Sequence, residues 1–271
     1  MRRTLQRVVL RNLVVEESSM ATTPVPAPEA QASLSPFARI VGVFFSPKPT
    51  FADIAQRPSW IAPMLVLFVI YMGLNFALVR RADWVEVSKD QIAKSKFAAR
   101  QIDQLPEDQK SRAFEQAAQR AKIVRYVRGV IGWPLLLLFV SAVYLGAFKL
   151  IGGARTNFGT AFAVATFAHL PMGLRELIAI PVTFLKDPAS IDPENFLASN
   201  PAAIFGSDLP TWQTVPLAFL DVFGIWALIL MAVGFSATDP KKLPFSKSLG
   251  IVVSVSLGFM LFFTMLAWIF S

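Results

Sequence analysis

Four ionisable residues stand inside stretches of this chain that are otherwise apolar. His169, Arg175 and Glu176 lie between Phe158 and Leu185, and Asp221 lies in the next apolar stretch, Trp212 to Phe235. An ionisable side chain surrounded by hydrocarbon is costly, so each needs a partner, a route to water or a function. A histidine, two carboxylates and a guanidinium at one depth could relay protons or bind an ion or a polar headgroup. They could also form a structural ion pair that fixes the register of two helices and lets each charge tolerate the bilayer. His169 and Glu176 are seven residues apart, hence on one face of a helix, although Pro171 between them distorts that spacing. Arg175 lies ten residues before Leu185 and Asp221 nine residues after Trp212. If the two stretches run antiparallel, both residues sit roughly 14–15 Å from the same end at about 1.5 Å per residue. That depth match makes an Arg175–Asp221 pair geometrically reasonable, and the structural role is the reading favoured here.

Beyond this cluster the chain offers no catalytic set. It has no cysteine and one histidine, which removes disulfides, thiolate ligands, a cysteine nucleophile and a His-rich metal site. No nucleophile elbow, P-loop, HExxH pair or other paired metal ligands occur. No catalytic, cofactor-binding or metal-ligating residues are therefore expected, and the chain reads as a non-enzyme.

The elements that must position the cluster are membrane helices. The 271 residues are 54% hydrophobic with mean hydropathy +0.52, and the apolar residues come in blocks of about twenty, the length that crosses a bilayer. Five spans are expected, at about 60–79, 130–150, 158–185, 212–235 and 249–270, so the fold class is an all-α polytopic membrane bundle. The net charge of +8 sits mainly at the ends of spans and in two polar regions, which suits anionic lipid headgroups and topology control. No nucleic-acid-binding pattern is present, and none is expected as a partner.

Residues 1–34 read as a disordered tail, rich in Pro, Ala and polar residues after Met20, with Met1 and Met20 both open as the start. The Arg-rich Met1–Leu13 lacks a signal-peptide core. Residues 35–59 read as an interfacial segment. Ser35 caps a short helix with Pro36 at its first position, and Phe37, Ile40, Val41, Phe44 and Phe45 form its apolar face, with Arg39 toward the headgroups. Thr50 and Asp53 resemble a capping box opening a second turn, with Phe51 and Ile54 inward.

Between spans one and two, the polar insertion 83–128 reads as an extramembrane hairpin of two helices, about 85–104 and 106–128. The second of these runs on into span two. Its face is expected to be Phe114, Ala117, Ala121 and Val124. In span one, Asn75 is expected to hydrogen-bond between helices. In span five, Gly250, Ser254 and Gly258 form a small-residue ridge that lets another helix approach closely. Internal packing is the expected use, with a homo-oligomer contact as the other option.

Lys149, Arg155, Lys241, Lys242 and Lys247 cluster in the turns after spans two and four. The positive-inside rule then puts the amino terminus in the cytoplasm and the carboxyl terminus outside. Residues 80–128, with twelve Lys/Arg and seven Asp/Glu, run against that assignment but approach the length at which the rule weakens.

The order of features resembles the Yip1 family, specifically its bacterial branch. The matching pieces are FFSPKPTFADIAQRPSWIAP before span one, IGGARTNFGTAFAVATFAHLP joining spans two and three, and FLDVFGIWALILMAVGFS in span four. The resemblance implies a five-helix membrane protein with a cytoplasmic amino terminus, here in a bacterial inner (plasma) membrane. Eukaryotic relatives are associated with Rab GTPases and vesicle traffic. The Asp-Leu-x-Gly-Pro type of motif seen in many of them is missing before span one, so Rab binding is not carried over. The leading expectation is a non-enzymatic membrane-organising or interaction scaffold. It needs no cofactor and contacts the lipid bilayer, with a protein partner surface near the amino terminus. The alternative is a small transporter or channel using His169, Arg175, Glu176 and Asp221, which the lack of a visible inverted repeat weakens.

Overall fold

A computed structural model describes residues 33–205 and 209–270; the tail expected over residues 1–34 falls almost wholly outside them. The described residues contain helices and no strand. The first two helices, α1 (Pro36–Phe45) and α2 (Pro47–Gln56), pack against each other. Ser35 Oγ accepts from Ala38 N at 3.2 Å, the expected cap. The expectations for the next residues need correction. α2 starts at Pro47, so Thr50 lies within the helix and its hydroxyl donates to Ser46 O at 2.7 Å rather than capping. Asp53 pairs instead with Arg39, Nε to Oδ2 at 2.7 Å. Arg39 therefore turns into the protein, not toward headgroups, and also donates to Arg57 O at 2.9 Å.

α3 (Ile61–Arg81) is the first span. The insertion then forms three helices rather than two: α4 (Trp84–Ala93), α5 (Lys96–Asp103) and α6 (Glu107–Val127). The extra break has a local cause, because Ser95 is a competent N-cap and accepts from Ala98 N at 3.4 Å. α4 lies on α6 through Trp84, Val87 and Ala118, while Val124 is 52% exposed, so the buried face is rotated from the expected one. As expected, α6 runs on into span two, through one π-helical turn (Arg128–Gly132) and α7 (Trp133–Leu150). Gly153, at φ 68°, takes the left-handed conformation that ends this helix and lets the chain return.

Span three is α8 (Phe158–Ala168) followed by α9 (Leu170–Leu185), interrupted only at His169. The apolar window of this 28-residue span is 67% buried, against 33%, 17% and 11% for the other unbroken spans, which makes it the central post of the bundle. Its composition explains that position. Every residue from Thr160 to Ala168 is buried, and five of those nine are Ala or Val. Such small side chains let α2, α7 and α12 approach closely. The Thr166 hydroxyl, with no water to meet, donates to Phe162 O at 2.7 Å.

After a short α10 (Pro201–Phe205), span four comes as two pieces, α11 (Thr211–Phe219) and α12 (Val222–Thr238), bent by 51°. α13 (Phe245–Phe270) is the fifth span. Four helices are thus long and apolar enough to cross a membrane, and five when the bent pair counts as one. α3 and span three run parallel, with Leu67 near Gly173 and Gly73 near Ile180. Tyr144 and Ser256 join α7 to α13 at 2.7 Å. At one end of the bundle, Lys247 Nζ donates to Gly152 O at 3.0 Å, joining the turns after spans two and four.

The ridge Gly250, Ser254 and Gly258 does not pack internally. All three residues are exposed, and a Cβ added at Gly250 or Gly258 would meet nothing within 4 Å. Gly234 of α12 is the opposite case, since a Cβ there would strike Val164 and come within 2.9 Å of the Phe51 ring. Gly234→Ala should therefore cost about 1–3 kcal/mol of stability. Gly250→Ala should change it by less than about 0.5 kcal/mol. Thermal unfolding of the two variants in detergent micelles checks this difference.

Candidate functional site

The break in span four builds the site. Pro216 lies inside α11, where it cannot donate to the helix ladder. The helix stops at Leu220 and restarts at Val222, leaving the first N–H groups of α12 without intrahelical acceptors. Asp221 Oδ1 accepts from Phe223 N at 2.9 Å and from Gly224 N at 3.1 Å. Val222 N donates to Ser199 O at 3.1 Å. Each of these freed donors is thereby satisfied, and the positive end of the new helix faces the Asp221 carboxylate.

Asp221 is thus a helix cap at a break, not a charge in the middle of a straight span. Its second oxygen, Oδ2, lies 3.1 Å from Arg175 Nε of α9 and accepts from the Ser199 hydroxyl. Arg175 Nε also donates to Ser199 Oγ at 3.1 Å, and Arg175 Nη1 to Glu176 Oε1 at 3.1 Å. The guanidinium carbon stands 4.8 Å from the centroid of the Phe196 ring. Arg175, Glu176 and Asp221 are all at least nine-tenths buried at their side chains or within a few per cent of that. A guanidinium so enclosed must be fully paired, and two carboxyl groups, a hydroxyl and a ring face surround it.

His169 does not join this group. It sits at the α8–α9 break, where its Nδ1 lies 2.8 Å from Ala165 O. The seven-residue spacing to Glu176 assumed one regular helix, and the break at His169 removes that premise.

Ser199 and Phe196 were not singled out in the sequence, because they lie in the Pro-rich connection 186–210 that reads as a plain loop. Ile191 and Phe196 of that connection are buried against Leu74, Leu78 and Ala179, so it plugs this end of the bundle. Further bonds hold it there: Lys186 Nζ to Phe196 O at 2.9 Å, Arg125 Nη1 to Pro193 O at 2.9 Å, and Asp83 N to Pro188 O at 3.0 Å. The one available signal was Asn200-Pro201, a helix start, and Asn200 Oδ1 does accept from Ala203 N at 3.1 Å. No group of three or more His, Cys, Asp or Glu suited to a metal occurs among the described residues.

The arrangement holds backbone and charge in place, with Arg175 and Asp221 both engaged by protein partners. Among known families, the model described as Yip1 domain matches residues 41–269. No curated protein and no solved structure matches the chain.

Asp221→Ala should lower the yield of folded protein, since it uncaps α12 and removes one of the two carboxyl partners of Arg175. Removing one partner of such a buried pair costs about 3–5 kcal/mol. In a double-mutant cycle with Arg175→Ala, read by thermal unfolding in detergent, the two losses should be non-additive by at least about 1 kcal/mol. Strictly additive losses would show that the two residues act separately.

Proposed function

We propose that this chain, which belongs to the Yip1 family, organises the bilayer as a non-enzymatic multi-pass protein, with α1 as the element that acts on lipid. The observation that carries this reading is the two-sided character of α1. Val43 is fully buried, Arg39 is neutralised inward, and Phe44 packs edge-on against Trp226 with ring centroids 5.5 Å apart. The opposite face presents Phe37, Val41 and Phe45 at helical spacing, with Phe37 74% and Phe45 82% exposed. At ten residues α1 is far too short to span. A short helix anchored by one face, with bare phenylalanines on the other, fits a wedge lying in the interfacial region of the bilayer.

The orientation proposed with this role has the amino terminus cytoplasmic and the carboxyl terminus outside, in a bacterial inner membrane. It rests on the lysines and arginine of the turns at 149–157 and 239–247, which share one end of the bundle. The α1–α2 pair then faces the cytoplasmic side, where a protein partner would meet it. Transport through the buried cluster is the weaker reading, because Arg175 and Asp221 are committed to capping and bracing a broken helix.

Reconstituted into large liposomes, the protein should shrink or tubulate the vesicles in proportion to its density. Phe37→Ser combined with Phe45→Ser should abolish most of that effect without lowering thermal stability, since neither ring is buried in the bundle. Unchanged vesicle shape with the wild-type protein, or a solute flux lost on Asp221→Asn, would overturn the role. A carboxyl-terminal reporter active in the cytoplasm would overturn the orientation.

A further inference from the structure

Beside the braced cluster lies a cavity of about 260 Å³, between α3, α6, the π turn, α9 and the plug. Two of its lining residues carry buried polar atoms that nothing in the protein satisfies. Glu176 is 3% exposed; its Oε1 takes Arg175, but its Oε2 has no hydrogen-bond partner. Arg125 uses Nη1 on Pro193 O, but its Nε has no partner. An unpaired buried donor or acceptor costs about 1–3 kcal/mol, and more where the group is charged. These two have opposite demands and sit on different helices, Glu176 on α9 and Arg125 on α6.

At the closed end Arg175 faces two carboxyl groups, Glu176 and Asp221, and Arg125 also acts on Glu176. Toward the mouth Arg125 and Arg128 stand together with Glu194, and Asp192 acts on Arg125; there Arg128 and Glu194 are 68% and 57% exposed at their side chains. Tyr71 and Trp133, with ring centroids 4.7 Å apart, line the cavity with Glu176. Aromatic faces beside a carboxylate favour a cation, and a guanidinium pair favours a phosphate.

We propose that this cavity binds a zwitterionic ammonium–phosphate group, with the ammonium toward Glu176 Oε2 and the aromatic pair and the phosphate toward Arg125 and Arg128. The volume suits a headgroup-sized ligand rather than a larger one, since a liquid water occupies about 30 Å³. Two sources supply this chemistry: the headgroup of phosphatidylethanolamine, and free phosphoethanolamine.

The test uses the full chain in nanodiscs. Native mass spectrometry compares retention of phosphatidylethanolamine with retention of phosphatidylglycerol, which lacks the ammonium. Calorimetric titration with free phosphoethanolamine forms the second arm. Retention of the lipid alone assigns the site to the membrane, binding of the free compound alone assigns it to a soluble ligand, and both together show that the headgroup suffices. Glu176→Gln and Arg125→Gln should each weaken whichever binding is seen by about tenfold. Arg128→Glu, at an exposed position, should weaken it too, and it reports on the site even if the Glu176 variant does not fold. Neither compound binding above the phosphatidylglycerol control would overturn the proposal and leave the cavity to water. Binding indifferent to Arg125→Gln and Arg128→Glu would overturn it as well.

Discussion

One carboxylate, that of Asp221, carries two obligations that cannot be separated. Its first oxygen terminates the backbone of a helix that has been interrupted, and its second meets the only guanidinium on α9. In water, either task could fall to solvent. Within an apolar bundle each N–H freed at the break needs a protein acceptor, and the arginine needs an anion. The Ser199 backbone and hydroxyl complete the set, which is why the connection after span three must fold back onto the bundle instead of extending away. The plug, the bend of span four and the register of span three against span four therefore meet at a single residue.

At the other end of the molecule the same economy governs α1 and α2. A short helix with an arginine among phenylalanines suggests a charge pointed at headgroups, yet the charge is inside and the rings are outside. Asp53, fourteen residues on, makes that inversion affordable. The resulting hairpin is no loose lead-in, because Phe51 and Ile54 are fully buried and Phe51 lies against Gly234 of α12, where a Cβ would clash. Both ends thus contain an Arg–Asp contact, Arg175 to Asp221 between spans three and four and Arg39 to Asp53 between α1 and α2.

The all-helical membrane character and the continuity of α6 with span two were legible in the sequence, because hydropathy over twenty residues is a strong signal and caps such as Ser35-Pro36 are local. The depth argument that set Arg175 beside Asp221 used only the rise per residue and the antiparallel return. What it assumed, two straight helices, does not hold at His169 or at Leu220. Breaks of this kind depend on whether an acceptor can take the freed hydrogen bonds; after Leu220 one such acceptor is Ser199, more than twenty residues away in a stretch with no periodicity. The direction of Arg39 was hidden for a related reason, since helical spacing gives the faces of α1 but not which one meets protein. The outward turn of the Gly250, Ser254 and Gly258 ridge was equally invisible, because small residues permit close approach without naming what approaches.

The bend in span four has a consequence for the span before it. α11 has nine residues and α12 seventeen, so neither half is a full crossing by itself, and the joint between them carries a carboxylate. The other spans carry no such joint, whereas in span four the bend sets a carboxylate that needs Arg175 of span three as its partner. Spans three and four therefore complete each other in the folded bundle, and the connection between them closes the joint through Ser199.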